Sequence, residues 1–391
     1  MEPRKRLLII TNRYPGGPDD AASPFVYDFR LALERVNIEV DIVTPYYRTY
    51  ADNNDYLDEH VHLFPWSDGS RVISQLPLYN PVTFIKIRRY FRNGYRAALG
   101  LTQKKKYSGV VALWAAPSGY MAMQIRRQCG IPYAVWALGS DINSWANLPI
   151  AGRMIRRVLI DADALYADGY ELATRIRNLV ERECRFIPSF HAITLPEIKA
   201  ESKDKIFCCV GRIEKNKGVF DLLEAFKIFS QKHPDWKLIY IGSGRDEKEL
   251  AEKTRSLNPE VSVSFNGYLP RNEVNRILAG SRAAIIPSHT DSLPLTFGEA
   301  MQAGIPVVCS DIGDMPFLID THRVGYHFPA GDVGRLAECL ARMADSVDDF
   351  SANCKAVREE LDIANAAREI SRWLDTHMNN RPEVNIQHAN A

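Results

Sequence analysis

The chain has 391 residues, 46% hydrophobic and 25% charged, the balance of a globular chain long enough for two domains of ordinary size. A formal net charge of +1 excludes the strong basic excess of a nucleic-acid binder. Seven cysteines with no CxxC spacing, and no clustered histidines, point to free thiols in a reducing compartment and to no structural zinc. No apolar run approaches the roughly 20 residues needed to cross a bilayer, and the apolar run 7–10 after Lys5 and Arg6 is too short for a signal peptide.

That run, 7–11, reads instead as a first strand. The loop Asn12-Arg13-Tyr14-Pro15-Gly16-Gly17 follows, and Ser23-Pro24 opens a helix through 36, a cap with proline at the first helical position. Residues 39–44 form a second strand. Strand, glycine-bearing loop, helix and strand open a Rossmann-like unit. Gly16-Gly17 is not a GxGxxG fingerprint, which counts against an NAD-dependent oxidoreductase. Between 84 and 107 stand Lys86, Arg88, Arg89, Arg92, Arg96, Lys104, Lys105 and Lys106 without an acid. Phe84, Ile85, Ile87, Tyr90, Phe91 and Tyr95 are interleaved among them. This pattern suits an amphipathic basic helix on an anionic surface, or an ordinary solvated face over a domain core. Residues 109–115 read as a buried strand, 119–129 as a helix, and 133–138 as a strand ending in Gly139-Ser140-Asp141. Asp141 stands at the carboxyl end of that strand, where open sheets bind ligands, and equally where a helix cap is wanted. Strands at 165–168 and 185–188, with a helix at 170–180 between them, complete the half, and the boundary falls at Pro188.

The second half opens with a strand at 205–210, then Gly211-Arg212-Ile213-Glu214-Lys215-Asn216-Lys217-Gly218 and a helix at 219–232. Arg212 offers a planar fork and Lys217 a mobile point charge to phosphate oxygens, with Glu214 between them directed to solvent. Leu222, Leu223, Phe226 and Phe229 recur at helical spacing and are core. Strands at 237–242 and 261–267 alternate with helices at 246–257 and 272–278. The apolar run 283–286 reads as a strand buried on both faces. Pro287 and Ser288 end it, a polar loop carries His289 and Asp291, and Pro294 precedes a helix over 295–302. Gly304 stops that helix and Pro306 leads into a strand from 307. The backbone N–H groups at 293–296 lack intrahelical partners and make an anion site, bracketed by Asp291 and Glu299. An anion cradle beside two carboxylates that accept hydrogen bonds from hydroxyls is what a nucleoside-diphosphate sugar needs. Helices at 333–344 and 365–377 and a polar tail close the chain.

Asp291, seven residues, then Glu299-Ala-Met-Gln-Ala-Gly-Ile-Pro-Val-Val resembles the signature of retaining GT-B glycosyltransferases of family 4, the glycosyl transferases group 1, of the bacterial surface-polysaccharide type. The first acid is usually Glu, so the Asp291 carboxylate is pulled back by one C–C bond. Gly211-Arg212 with Lys217-Gly218 resembles the family's diphosphate-binding pair. Leu138 stands where the family often has His, while Gly139 and Asp141 match; Pro188-Ser189-Phe190 replaces a Pro-Asn-Gly linker, and Gly313-Asp314 half-matches a Gly-Gly.

The resemblance implies an α/β fold of the GT-B class, two Rossmann-like domains facing across a cleft. An acceptor-side domain would span 1–188 and a nucleotide-sugar domain 189–363, with a helix at 364–378 crossing back and a disordered tail at 379–391. It implies transfer of a hexose-type sugar from a nucleoside diphosphate to an acceptor hydroxyl. Arg212 and Lys217 would hold the diphosphate, Glu299 the ribose and Asp291 the hexose. Gly211, His289, Ser292, Leu293, Pro294, Leu295 and Thr296 would line the donor, with Tyr268 beside the base; Gly16, Gly17, Gly139 and Asp141 would belong to the N-terminal side of the site. No DxD-like carboxylate pair follows a strand, so neither metal nor another cofactor is expected. The expected partners are a glycan or lipid-linked acceptor and an anionic membrane surface met by residues 84–107, placing the protein in the cytoplasm at the inner face of the plasma membrane. A nucleotide-sugar epimerase and a non-catalytic nucleotide-sugar-binding protein are the alternatives of the same fold.

Overall fold

The structure, a computed structural model, describes residues 5–17, 20, 23–48, 50, 56–66, 81–190, 205–256 and 261–379. The expected tail from 380 onward, most of the loop at 18–22 and the helix end at 257 lie outside these residues. The chain divides into two compact units. One gathers Met1–Asp168, Leu172–Ser189 and the chain from Ile363 onward; the other gathers Gly169–Glu171 and Phe190–Asp362.

Among the described residues, the first unit is built on seven parallel strands: β1 (Lys5–Ile10), β2 (Ile38–Pro45), β3 (Val61–Phe64), β4 (Gly109–Leu113), β5 (Tyr133–Ala137), β6 (Ala164–Ala167) and β7 (Arg185–Phe186). Their order is β3-β2-β1-β4-β5-β6-β7. The period of two along each strand explains why both faces are covered. Leu8, Ile10, Val110 and Ala112 enter one apolar cluster, and Leu7, Ile9, Val111 and Leu113 enter the other. Helices α2 (Pro81–Lys104), α3 (Ser118–Cys129), α5 (Pro149–Asp161) and α6 (Tyr170–Val180) supply the first cluster; α1 (Phe25–Arg35) supplies the second. The short α4 (Ser140–Asn143) follows β5.

Helix α1 begins one residue later than the sequence predicts. Ser23 has φ 62°, a left-handed conformation unlike that of an N-cap, and Pro24 takes the cap position. Along α2 the interleaved apolar residues separate into two groups. Tyr90 is fully buried and donates from its hydroxyl to Asn12 Oδ1 at 3.2 Å, and Ile87, Phe91 and Tyr95 pack on the core. Val82, Phe84 and Ile85 in the first turns are exposed beside Arg88, Arg89, Arg92 and Arg96. Lys105 does not belong to that basic face. Its Nζ lies 2.8 Å from Asp41 Oδ1 in the middle of β2. Burial alone would raise the Asp41 carboxyl; hydrogen bonds from Lys105, His62 and Tyr107 outweigh it and hold the pKa at about 2.

Among the described residues, the second unit repeats the plan with six parallel strands: β8 (Ile206–Val210), β9 (Lys237–Ile241), β10 (Ser262–Phe265), β11 (Ala283–Ile286), β12 (Val307–Ser310) and β13 (Gly325–Phe328). Helices α7 (Val219–Ser230), α8 (Glu247–Arg255), α9 (Arg271–Gly280), α10 (Leu295–Gln302), α11 (Met315–His322), α12 (Val333–Asp345) and α13 (Ser351–Glu360) connect or follow them. The order β10-β9-β8-β11-β12-β13 puts β8 beside β11, although three connections separate them in the chain. Crossovers leave β8 and β11 in opposite directions along the sheet, so the carboxyl ends of these two strands flank a crevice. In the first sheet β1 and β4 have the same relation. The last helix, α14 (Ile363–Asn379), belongs to the first unit, where Ala366, Ala367, Ile370, Trp373 and Leu374 join the cluster containing α1.

Candidate donor site

The switch point of the second sheet is where charged side chains meet. β8 runs out into Gly211, Arg212 and a single 3-10 turn over Lys215–Lys217; β11 runs out into Pro287–Asp291. Gly218, at φ 66°, lets the two loops touch, since a Cβ there would lie 1.8 Å from the carbonyl oxygen of Pro287. The His289 amide donates to the Asn216 carbonyl at 2.9 Å, and Lys217 Nζ reaches both carboxylate oxygens of Asp291 at 2.7 Å. Ser288 Oγ also donates to Asp291, at 2.5 Å. On the far side, Gly313 at φ 57° sits where a Cβ would be 1.9 Å from the Ser292 carbonyl oxygen, and the Asp314 amide donates to that carbonyl at 2.9 Å. Residues 287–292 are therefore clamped between two neighbouring loops.

Helix α10 starts from this loop. Pro294 is its N-cap in extended conformation, and the Phe297 amide donates back to the Pro294 carbonyl at 2.9 Å. The amides of Leu295 and Thr296 lie in the first turn, where no carbonyl of the helix can serve them. Thr296 is buried, and its hydroxyl donates to the carbonyl of Val210 at 3.2 Å, which docks the helix start on the end of β8. Phe297, Ala300 and Met301 face the core, whereas Leu295 and Glu299, one turn apart, share the outer face. Gly298 fits against Phe190, whose ring would lie 2.1 Å from an added Cβ.

The expected donor residues thus fall on three loops of one unit. Lys217 and Asp291 are in direct contact, and Ser292, Leu293, Pro294, Leu295 and Thr296 form the turn into α10 beside them. The Gly211 amide donates to the Ile241 carbonyl at 2.9 Å, and Arg212 follows with a side chain 65% exposed. Glu214 departs from expectation. It is not directed to solvent: its carboxylate is only 17% exposed and accepts from Arg212 Nη1 at 3.2 Å. His289 engages Asp221 in the first turn of α7, with Nε2 2.5 Å from Oδ2, rather than Asp291. Tyr268, after β10, is exposed. Ser288, Asp221, Glu214 and Asp314 belong to this network, although the sequence reading gave none of them a site role. Ser288 ends a strand and Asp221 opens a helix, and neither position signals a partner on another loop.

In the first unit the loop after β1 at the equivalent switch point carries Arg13, paired with Asp20 at 3.4 Å. Asn12 after β1 accepts on Oδ1 from Ser118 Oγ at 2.9 Å, and its Nδ2 donates to the Ala116 carbonyl at 3.5 Å. The Gly16 amide donates to Asp20 Oδ2 at 2.9 Å, and the Asp20 amide to the Gly17 carbonyl at 3.2 Å, so the glycine pair forms a closed turn. Gly139, at φ 96°, is the N-cap of α4. Asp141 lies within that helix at 1% exposure, so it neither caps the helix nor presents its carboxylate at the surface. It accepts instead from the Ala115 amide at 2.6 Å. Elsewhere in this unit a cavity of about 420 Å³ opens between β6 and α14, but its Arg185 and Arg372 are already paired with Glu183 and Glu369.

Residues 193–356 match the family model described as glycosyl transferases group 1. Among curated relatives, the chain is 24% identical over 237 residues to the putative teichuronic acid biosynthesis glycosyltransferase TuaC of Bacillus subtilis, covering 57% of this chain and 58% of that one. It is 29% identical over 159 residues to the amylovoran biosynthesis glycosyltransferase AmsK of Erwinia amylovora, 39% of each chain. The chain spans about three-fifths or less of the length of these curated relatives. Among solved structures, it resembles a sucrose-phosphate synthase from Thermosynechococcus elongatus with a TM-score of 0.71 at 18% identity, over 95% of this chain and 100% of that one. It resembles Alr3699/HepE of Anabaena, solved in complex with UDP, with a TM-score of 0.69 at 16% identity, over 95% and 100% of the two chains. With two parallel-sheet units and these neighbours over nearly its whole length, the chain has the GT-B fold, and its residues 193–356 match the glycosyl transferases group 1.

Proposed function

We propose that the protein is a retaining glycosyltransferase that moves a hexose-type sugar from a nucleoside diphosphate to an acceptor hydroxyl, in the assembly of an envelope polysaccharide or a lipid-linked glycan. The observation that carries this reading is the switch point of the second sheet, where Lys217, on the same loop as Arg212, meets the carboxylate of Asp291 beside the first turn of α10. The bond to break joins the anomeric carbon to the β-phosphate oxygen, and the charge that develops is on that oxygen. Arg212, Lys217 and the amides of Leu295 and Thr296 supply the positive field that stabilises it. The acceptor oxygen bonds to the anomeric carbon on the face the phosphate leaves, and its proton passes to the departing phosphate oxygen. In this reading Asp291 accepts from hexose hydroxyls, Glu299 from the ribose, and Tyr268 stands beside the base.

The polysaccharide assignment is supported by the names of the relatives, which refer to teichuronic acid and amylovoran. The membrane assignment is supported by the first turns of α2, where exposed Val82, Phe84 and Ile85 adjoin Arg88, Arg89 and Arg92. Co-sedimentation with vesicles that contain anionic lipid, lost with neutral vesicles and with Phe84→Glu/Ile85→Glu, is the expected result; no co-sedimentation with either vesicle removes that part of the reading.

The test of the donor site is a thermal-shift screen of purified protein against UDP- and GDP-sugars in EDTA, with Arg212→Ala and Glu299→Gln alongside. One class of donor is expected to raise the melting temperature of the wild type and to act weakly or not at all on both variants. Equal shifts in wild type and variants would place the donor elsewhere and refute the assignment.

A further inference from the structure

The contact between Lys217 and Asp291 joins the residue assigned to the diphosphate and the residue assigned to the hexose. Both oxygens of Asp291 lie 2.7 Å from Lys217 Nζ, and both side chains are about one-fifth exposed. We propose that this ion pair is a latch across the diphosphate subsite, opened by a nucleoside diphosphate and compensated only when the diphosphate carries a sugar. The inference rests on the donor site proposed above and adds to it a basis for telling donor from product.

The two partners are not equally mobile. Asp291 sits in the clamped loop: the His289 amide holds Asn216, the Ser292 carbonyl holds the Asp314 amide, and Ser310 Oγ donates to the carbonyl of Ser288. Its short side chain also accepts from Ser288 Oγ. Lys217 carries its charge on a flexible four-carbon stem, so the ammonium is the member that moves. When it turns to a phosphate oxygen, Asp291 keeps Ser288 and loses its cation while remaining mostly out of water. A carboxylate in that position is costly unless other donors reach it. Hexose hydroxyls are such donors; a bare nucleoside diphosphate has none there. The latch thus weakens the product more than the donor. Once the sugar has left, Asp291 draws Lys217 back and favours release of the nucleoside diphosphate.

The test is a double-mutant cycle read by titration calorimetry with UDP, GDP, UDP-glucose and GDP-mannose as probes. Asn at position 291 keeps the shape of Asp and its bond from Ser288, and melting temperatures verify that each variant is folded. In Asp291→Asn, the nucleoside diphosphate that the wild type accepts is expected to bind about fivefold or more tightly, because nothing competes for Lys217. The preference for the sugar nucleotide over the diphosphate is expected to shrink. In a Lys217→Ala background, Asp291→Asn is expected to leave diphosphate affinity unchanged. Unchanged diphosphate affinity in the single variant overturns the latch and leaves the donor site standing. A gain that persists without Lys217 also overturns it, since removal of a nearby negative charge would then suffice. Binding of none of the four probes to the wild type overturns the donor-site reading, and the latch with it.

Discussion

The carboxylate of Asp141 accepts the amide hydrogen of Ala115 at 2.6 Å, which ties the turn after β5 to the loop after β4 at the carboxyl end of the first sheet. Burial raises the Asp141 carboxyl to about 6, and the amides of Ala115 and of its own turn only partly oppose that rise. The folded-state pKa is above the ordinary 3.8, so the folded protein holds this proton more tightly than the unfolded chain does. Stability from this group is full below about pH 4 and is lost as pH rises through about 6. Urea titrations are expected to show Asp141→Asn relieved of this loss, with a gain over wild type at pH 7 on the order of 1–3 kcal/mol that vanishes near pH 4. A constant difference across that range would contradict the assignment.

Asp41 behaves in the opposite sense. Its folded-state pKa of about 2 lies below the ordinary value, so its contribution is present above about pH 4 and disappears as the pH falls toward 2. Asp41→Asn leaves Lys105 without its carboxylate and is expected to cost on the order of 2–3 kcal/mol at pH 7. The difference between variant and wild type should narrow steadily in denaturant titrations carried down to pH 3.

Gly218 is held by two constraints at once, a positive φ of 66° and a separation of 1.8 Å between a notional Cβ and the Pro287 carbonyl oxygen. Relieving that overlap requires the loops of β8 and β11 to part, which disturbs the His289–Asn216 bond and the Lys217–Asp291 pair. Gly218→Ala is expected to lower stability by roughly 2 kcal/mol or more and to abolish the donor-induced rise in melting temperature. Full donor binding in a stable Gly218→Ala protein would show that the contact between loops is dispensable.

Arg212 offers the contrasting case. Its side chain is 65% exposed, which screens its contact with the more buried Glu214, so Arg212→Ala should melt within about 2 °C of wild type. If the guanidinium grips the diphosphate, its loss costs about 1.5–3 kcal/mol, roughly a 10- to 150-fold rise in donor Kd. Calorimetry with the donor found in the screen measures this directly, and a change below twofold would remove Arg212 from the site.

The stretch around α10 was the most legible part of the chain. Ala283 to Ile286 reads as a buried strand because it has no polar residue, and Gly304 and Pro306 mark where the helix stops and the next strand begins. Local chemistry was less informative elsewhere. Helix α5 begins with Pro149 and contains Gly152, two residues that read as a break until proline is recognised at a first helical position. Strand β3 has only four residues, and its partner β2 is distant enough that pattern alone does not reveal the pairing. Helices α11 and α13 were likewise not anticipated. In the candidate site, residue types and loop positions could be read from spacing. The pairings of Lys217 with Asp291 and His289 with Asp221 could not, because they depend on the adjacency of β8 and β11 and on Gly218, which lets their loops touch.

The attachment of α14 to the first unit has a consequence for biosynthesis. Lys5, at the start of β1, pairs with Asp375 at 2.6 Å, and Trp373 and Leu374 pack against the strand ends near Gly109. A ribosome releases the first unit's strands long before it releases this helix. The nascent chain must therefore carry one face of its first sheet covered by α1 without α14 while the whole second unit is translated, and the arrival of α14 completes that cover. Chaperones that bind exposed apolar surface have their longest opportunity at that face, which α14 later seals.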